Sequence, residues 1–256
     1  MSFFRRTYDM SEVEYLHAMG FLGPDVSLAH GIWLDAADIE TLAMTGVTVV
    51  HCPSSNLRLG SGVMPLAALV AAGVPVAVGT DSMTLNEDYN LFGEIRLAGG
   101  LLAVAGNDGV AEHRMKPAFA LGMALTAGSR AAFRPERLGV IEPGAKADLI
   151  LLDRTMLEHP FSADLPDRLR DLVYYRANPS QVRAVIVGGQ LVADQGRFPG
   201  VDIDGLAERI ASFAVTGSRH RAASRPSAKR VVRRQVRAYI DEMAEGPTTR
   251  GPGSGS

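Results

Sequence analysis

The chain has 256 residues, enough for one large domain or two ordinary ones with a substantial core. Hydrophobic residues make up 46% and charged residues 21%, and the formal net charge of -2 gives no general pull toward nucleic acid or an anionic membrane. The single cysteine, Cys52, excludes an intrachain disulfide and agrees with a reducing compartment.

Residues 10–20 (M-S-E-V-E-Y-L-H-A-M-G) predict a helix. Ser11 is placed to cap it, Glu12 and Glu14 fall in its first turn, and Gly20 suits the position just past its end. Gly23-Pro24-Asp25 reads as a turn, and V-S-L-A-H (26–30) as a short strand ending at His30. Asp35 caps a second expected helix over 36–45, whose Ile39, Leu42 and Ala43 share one face, and Gly46 ends it. V-T-V-V-H (47–51) is β-branched up to its terminal histidine and predicts the next strand, broken by Cys52-Pro53. A polar loop over 54–62 is expected next, then a helix from Pro65 to Ala72 with proline in its first turn. Gly73 closes that helix, and V-P-V-A-V-G-T (74–80) predicts a third strand leading into Asp81.

These strand-like runs are apolar on both faces, as parallel strands covered by helices are. Their spacing predicts α/β units of a parallel barrel, whose active sites collect at the C-terminal strand ends. After Asp81 come a loop, a long helical stretch over 91–105 and another helix over 115–128, where the β/α rhythm stops. Residues 139–153 contain a tight Pro-Gly turn before a strand expected to be buried, and 182–198 predict a hairpin around Gly188-Gly189. The chain from about 202 reads as helical and runs into a basic segment, 219–237, without an acidic residue. That segment reads as a solvated helix face or flexible terminus, because no aromatic residues interleave with its arginines as nucleic-acid binders require. The last eleven residues have the composition of a disordered tail. No apolar run approaches the roughly 20 residues needed to span a bilayer. The N-terminal residues lack the apolar core of a secretory signal, so the expected location is the cytoplasm.

Three strand ends carry the chemistry. His30 reads as a metal ligand, a general base or a histidine hydrogen-bonded at a rim. Asp81, after V-A-V-G-T, reads as a metal-binding or proton-accepting carboxylate, because burial there without a cation or donor would be costly, or else as a helix cap. His51 opens a polar cluster with Ser55 and Asn56, which either bind substrate or stabilise the loop through side-chain turns. Cys52 reads as a small buried residue rather than a nucleophile, since nothing nearby in sequence would activate it. His17, His113 and His159 lack partners in sequence and read as packing or surface residues, and His220 lies in the basic segment. A histidine and an aspartate on strands two units apart can converge on one water, with the carboxylate accepting its proton.

The stretches L-A-H-G-I-W-L-D (28–35), V-V-H-C-P-S-S-N-L-R-L-G-S-G (49–62) and V-A-V-G-T-D-S (76–82) resemble the amidohydrolase superfamily. The likeness is to its cytosine-deaminase-like branch of aminohydrolases and chlorohydrolases. L-T-A-G-S-R-A-A (125–132) and L-G-V-I-E-P-G-A-K-A-D-L-I-L-L-D (138–153) resemble the region where such enzymes leave the barrel and complete a β-sandwich. The resemblance spans about residues 10–198 and implies a partial TIM-like (β/α) barrel, strands 6–8. Part of a small β-sandwich and a helical basic tail would follow. The implied organisation is 1–135 as the C-terminal part of a metal-dependent hydrolase barrel, 136–200 as the β-sandwich segment and 201–256 as a helix plus basic tail.

By the same resemblance, His30 ends strand 6 and assists catalysis, and His51 ends strand 7 with Ser55 and Asn56 in the substrate pocket. Asp81 ends strand 8, binds a zinc or iron ion and shuttles a proton. The implied reaction is metal-dependent hydrolysis of a non-peptide carbon–nitrogen bond, deamination of a small heterocyclic substrate. Members of the family carry a His-x-His pair at strand 1 and a histidine at strand 5, and neither has a counterpart among the six histidines here. The expectation is therefore the C-terminal part of such an enzyme, completed by an N-terminal half or a homo-oligomer and unable to hold the metal alone. The alternative is an inactive remnant or interaction protein.

Overall fold

Three of the expected strands pair as a parallel sheet. In the computed structural model, which describes residues 3–82, 88–105, 115–133, 137–160 and 168–224, strands β1 (Ser27–Ala29), β2 (Thr48–His51) and β3 (Val76–Val78) lie in that order. Leu28 pairs with Val49 across the first ladder, and His51 with Val78 across the second. The chain divides into two compact units, with the boundary between Pro199 and Gly200.

The helices around the sheet are α1 (Phe3–Tyr8), α2 (Glu12–Ala18), α3 (Ala36–Thr45), α4 (Pro53–Arg58), α5 (Leu66–Ala71), α6 (Leu91–Ala105), α7 (Pro117–Ala124) and α8 (Thr126–Ala131). Ser11 caps α2 in a reciprocal capping box with Glu14, and Asp35 does the same for α3 with Asp38. The Ser11 hydroxyl also donates to the buried Asp38 carboxylate, and Arg5 pairs with both Glu14 and Asp35, so the two helix starts are locked together. Gly46 ends α3 in the left-handed conformation, with φ of 71°, as its position in the sequence predicts.

Leu42, Val47, Val49, Leu69, Ile95 and Ala98 belong to one buried cluster spanning the sheet and its helices. Burying a leucine of that kind contributes about 1.5–3 kcal/mol. All three β3 residues are buried, which explains their unbroken apolar run.

Three expectations need correction. Residues 54–62 do not form a plain loop, because Pro53–Arg58 is helical. The helix expected over 115–128 breaks at Leu125 (φ -94°, ψ -84°), and Thr126 begins a separate turn. The strand expected to be buried near residue 150, β4 (Leu149–Leu152), leaves Ile150 52% and Leu151 44% exposed, since an apolar sequence does not specify what covers it.

Strand β4 pairs antiparallel with β5 (Val182–Val187), which pairs with β6 (Gln190–Asp194). Gly188 and Gly189 join β5 to β6 with φ of 57° and 81°, the two positive values a tight hairpin turn requires. Between β4 and β5 lie α9 (Arg154–Glu158), α10 (Leu169–Arg176) and the 3-10 turn Pro179–Gln181. Arg96 of α6 donates to the carbonyl of Ala177 at 2.6 Å, and Tyr174 of α10 reaches the core cluster.

The second unit contains one long helix, α11 (Ile203–Ser224), on which Ile203, Leu206, Ile210 and Phe213 are all exposed. Most of the basic segment over 219–237 lies outside the described residues. Among the described residues, no helix is long and apolar enough to cross a membrane.

Candidate active site

His30 sits just beyond β1, where its backbone N–H still bonds to Val50 C=O at 2.9 Å. There the chain reverses. Gly31 N–H bonds back to Ala29 C=O at 3.0 Å, closing a three-residue turn around His30, whose φ is 72°. A histidine in the left-handed region costs about 1–2 kcal/mol relative to its ordinary backbone. Asp81, beyond β3, is also left-handed with φ of 57°. Strained backbone therefore marks both strand ends, and such strain clusters at functional sites.

Helix α4 starts directly after β2 and places two consecutive side chains between these ends. Ser55 Oγ donates to Asp81 Oδ2 at 2.6 Å. Asn56 Oδ1 accepts from His30 Nδ1 at 2.9 Å. Ser55 and Asn56 are wholly buried, whereas His30 is half-buried and Asp81 is exposed. The expectation that burial makes Asp81 costly is thus corrected, because the carboxylate reaches solvent. With Nδ1–H given to Asn56, a neutral His30 keeps its Nε2 lone pair for a proton or a substrate. With Oδ2 held by Ser55, Asp81 keeps Oδ1 without a hydrogen-bond partner among the described residues.

His51 is 1% exposed, and Nδ1 has no hydrogen-bond partner among the described residues. Burial pushes its pKa down to about 4, so the ring is neutral at ordinary pH. Cys52 is buried too, and its thiol is pushed up to about 11 by burial first and then by the charges of Asp81 and Glu94. That value suits a packing residue and not a nucleophile. His17 and His159 are exposed, and His113 lies outside the described residues.

Glu94, on the first turn of α6, has no cue in its sequence context. It is 1% exposed, and Oε2 accepts the Ser54 backbone N–H of α4 at 3.1 Å. The carboxylate stands in a largely apolar helix, L-F-G-E-I-R-L-A, beside one other charged residue, Arg96. A cleft of about 750 Å³ lies elsewhere, beside Arg5, Ser11, Trp33, Asp35 and Asp38, and none of the strand-end residues lines it.

A divalent metal ion held for catalysis takes at least three protein ligands. Among the described residues, no group of three or more histidine, cysteine, aspartate or glutamate side chains is placed to hold one. Asp81 can supply one ligand, and the described residues alone do not fit the ion.

The model of the amidohydrolase family matches residues 2–192. The chain belongs to the amidohydrolase family. A 5-methylthioadenosine/S-adenosylhomocysteine deaminase of Thermococcus onnurineus is 38% identical over 190 residues, covering 72% of this chain and 42% of that protein. An 8-oxoguanine deaminase of Pseudomonas aeruginosa is 35% identical over 202 residues, covering 79% of this chain and 43% of its own length. The structure of an adenosine deaminase from Xanthomonas campestris with bound zinc superposes with a TM-score of 0.75 at 31% identity. It covers 83% of this chain and 47% of that one. This amidohydrolase chain thus spans about half the length of the relatives it matches, and the match falls on an α/β fold similar to theirs.

Proposed function

We propose that this chain is the C-terminal part of a hydrolytic deaminase acting on a small heterocyclic substrate, completed by an N-terminal half. The observation that carries the reading is the paired anchoring of His30 by Asn56 and of Asp81 by Ser55, from consecutive residues of one short helix. In this reading β1, β2 and β3 are strands 6, 7 and 8 of a (β/α) barrel. Residues 1–135 form its C-terminal part and 136–200 a segment of the β-sandwich.

Hydrolysis at a ring carbon bearing nitrogen needs a base for the attacking water and an acid for the leaving amine. Asp81 serves both turns. Its unengaged oxygen accepts the water proton and returns it to the departing nitrogen, while Ser55 keeps the carboxylate from rotating. His30, held by Asn56, directs Nε2 chemistry at the ring, as donor or acceptor to the substrate nitrogen or oxygen beside the attacked carbon. His51, Ser55 and Asn56 form the wall behind the substrate, with His51 acting through packing. The zinc or iron ion belongs to the completed site, with Asp81 as its ligand from this chain. The relatives' names support a purine or nucleoside substrate, since they include methylthioadenosine and 8-oxoguanine deaminases.

The test is a chimaera in which residues 2–192 replace the matching half of the Thermococcus deaminase, assayed for ammonia release from methylthioadenosine, adenosine and 8-oxoguanine. Turnover of one of these, reduced by about 10²–10⁴ in Asp81→Asn and in His30→Ala, is the expected result. A folded chimaera that releases no ammonia, or one indifferent to both substitutions, sinks the proposal in favour of a non-catalytic, partner-binding chain.

A further inference from the structure

We propose that Glu94 is a positioning residue that sets the separation of His30 and Asp81 through helix α4, an inference whose functional meaning rests on the deaminase reading. Helix α4 has six residues, too few to be stable alone. Its start lacks a side-chain cap, because Cys52 at the cap position makes no such bond. The amides of its first turn therefore need acceptors from elsewhere. Glu94 supplies one across 40 residues of sequence, with Oε2 at 3.1 Å from Ser54 N. A carboxylate is the favoured acceptor there, since the first turn of a helix carries partial positive charge.

The consequence falls on the next two residues. Ser55 holds Asp81 and Asn56 holds His30, so one rigid turn carries both anchors. A shift or rotation of that turn moves both anchors in concert. Because Ser55 and Asn56 are wholly buried, neither can compensate by changing rotamer into open space. A buried carboxylate is costly to retain without donors, and one donor to Glu94, the Ser54 amide, belongs to the site's own scaffold.

The experiment uses the 256-residue chain labelled with ¹⁵N-histidine, reading the His30 ring nitrogens by NMR after assignment with His30→Ala. In Asn56→Ala, the Nδ1 resonance loses its hydrogen-bond shift and defines the detached state. The expected result is that Glu94→Ala moves His30 to the detached position. Glu94→Gln, whose amide oxygen still accepts from Ser54, should keep the wild-type position. A folded Glu94→Ala chain with His30 at its wild-type position overturns the proposal, as does a Glu94→Gln chain that fails to rescue. If Glu94→Ala does not fold, Glu94→Asp takes its place, since it withdraws the carboxylate by one methylene, and an unmoved His30 resonance then overturns the proposal equally. The readout needs no turnover. Loss of the deaminase reading in the chimaera and loss of the Glu94 linkage in the chain are therefore separate results.

Discussion

Ser55 Oγ donates to Asp81 Oδ2 at 2.6 Å, tying a fully buried helix residue after β2 to an exposed carboxylate after β3. This bond spans two neighbouring strand ends and is charge-assisted, so it is stronger than a neutral one. Solvent at Asp81 screens it, and Ser55→Ala should cost about 1 kcal/mol of stability. The larger effect belongs to function. In the chimaera, Ser55→Ala frees the Asp81 carboxylate to rotate, and kcat should fall by about 10-fold while KM changes less. Equal loss in KM alone would show that Ser55 binds substrate instead of holding the base. Urea unfolding and steady-state kinetics measure the two effects.

The left-handed turn at His30 is the second testable feature. His30→Ala and His30→Gly both lose the Asn56 bond, so their difference isolates the backbone. Glycine adopts φ of 72° without a Cβ penalty but loses more entropy on folding. The net expectation is that His30→Gly is more stable than His30→Ala by about 1 kcal/mol. Equal midpoints in urea would mean the turn relaxes once the imidazole is gone.

Much of this arrangement is legible in the sequence. Runs such as V-T-V-V-H and V-P-V-A-V-G-T announce strands because β-branched residues fit a pleated surface, and their abrupt polar ends announce where chemistry is delivered. Gly46 and Gly73 mark helix ends, and both are left-handed in the structure. Helix α4 is illegible for a local reason. Pro-Ser-Ser-Asn has the composition of a turn, and the acceptor that favours the helix, Glu94, comes 40 residues later. Glu94 itself is hidden because a single carboxylate in a largely apolar helix, with Arg96 nearby, reads equally well as surface. The exposure of Asp81 and of Ile150 was illegible too, since both depend on what packs over them.

His51 predicts a pH dependence. Burial lowers its folded pKa to about 4 from the ordinary value of 6.5. The unfolded chain therefore binds more protons than the folded one between these values, and stability falls as pH drops. The contribution is fully present above about pH 6.5, declines below it and levels off below about pH 4. At 1.36 kcal/mol per unit the loss amounts to about 3 kcal/mol. His51→Leu, which fills the site without titrating, should flatten this part of the stability profile. If urea midpoints of the two proteins fall in parallel from pH 7.5 to 4.5, the imidazole is not the source.

Cys52 offers the last prediction. It is 4% exposed, and burial with the charges of Asp81 and Glu94 raises its thiol to about 11. Only the thiolate attacks a disulfide reagent, so at pH 8 the native chain should be labelled very slowly, both from lack of access and from lack of ionisation. As the only cysteine, it reports on a single place, the junction of β2 and α4. Asp81→Asn removes one of the two charges and should lower the thiol pKa without opening the site. Labelling of the native state would then rise by more than the small drop in the urea midpoint, from the weakened Ser55 bond, accounts for. Labelling that rises only in proportion to lost stability would show instead that the reagent reaches Cys52 by unfolding alone, and that the carboxylate charge does not reach the sulfur.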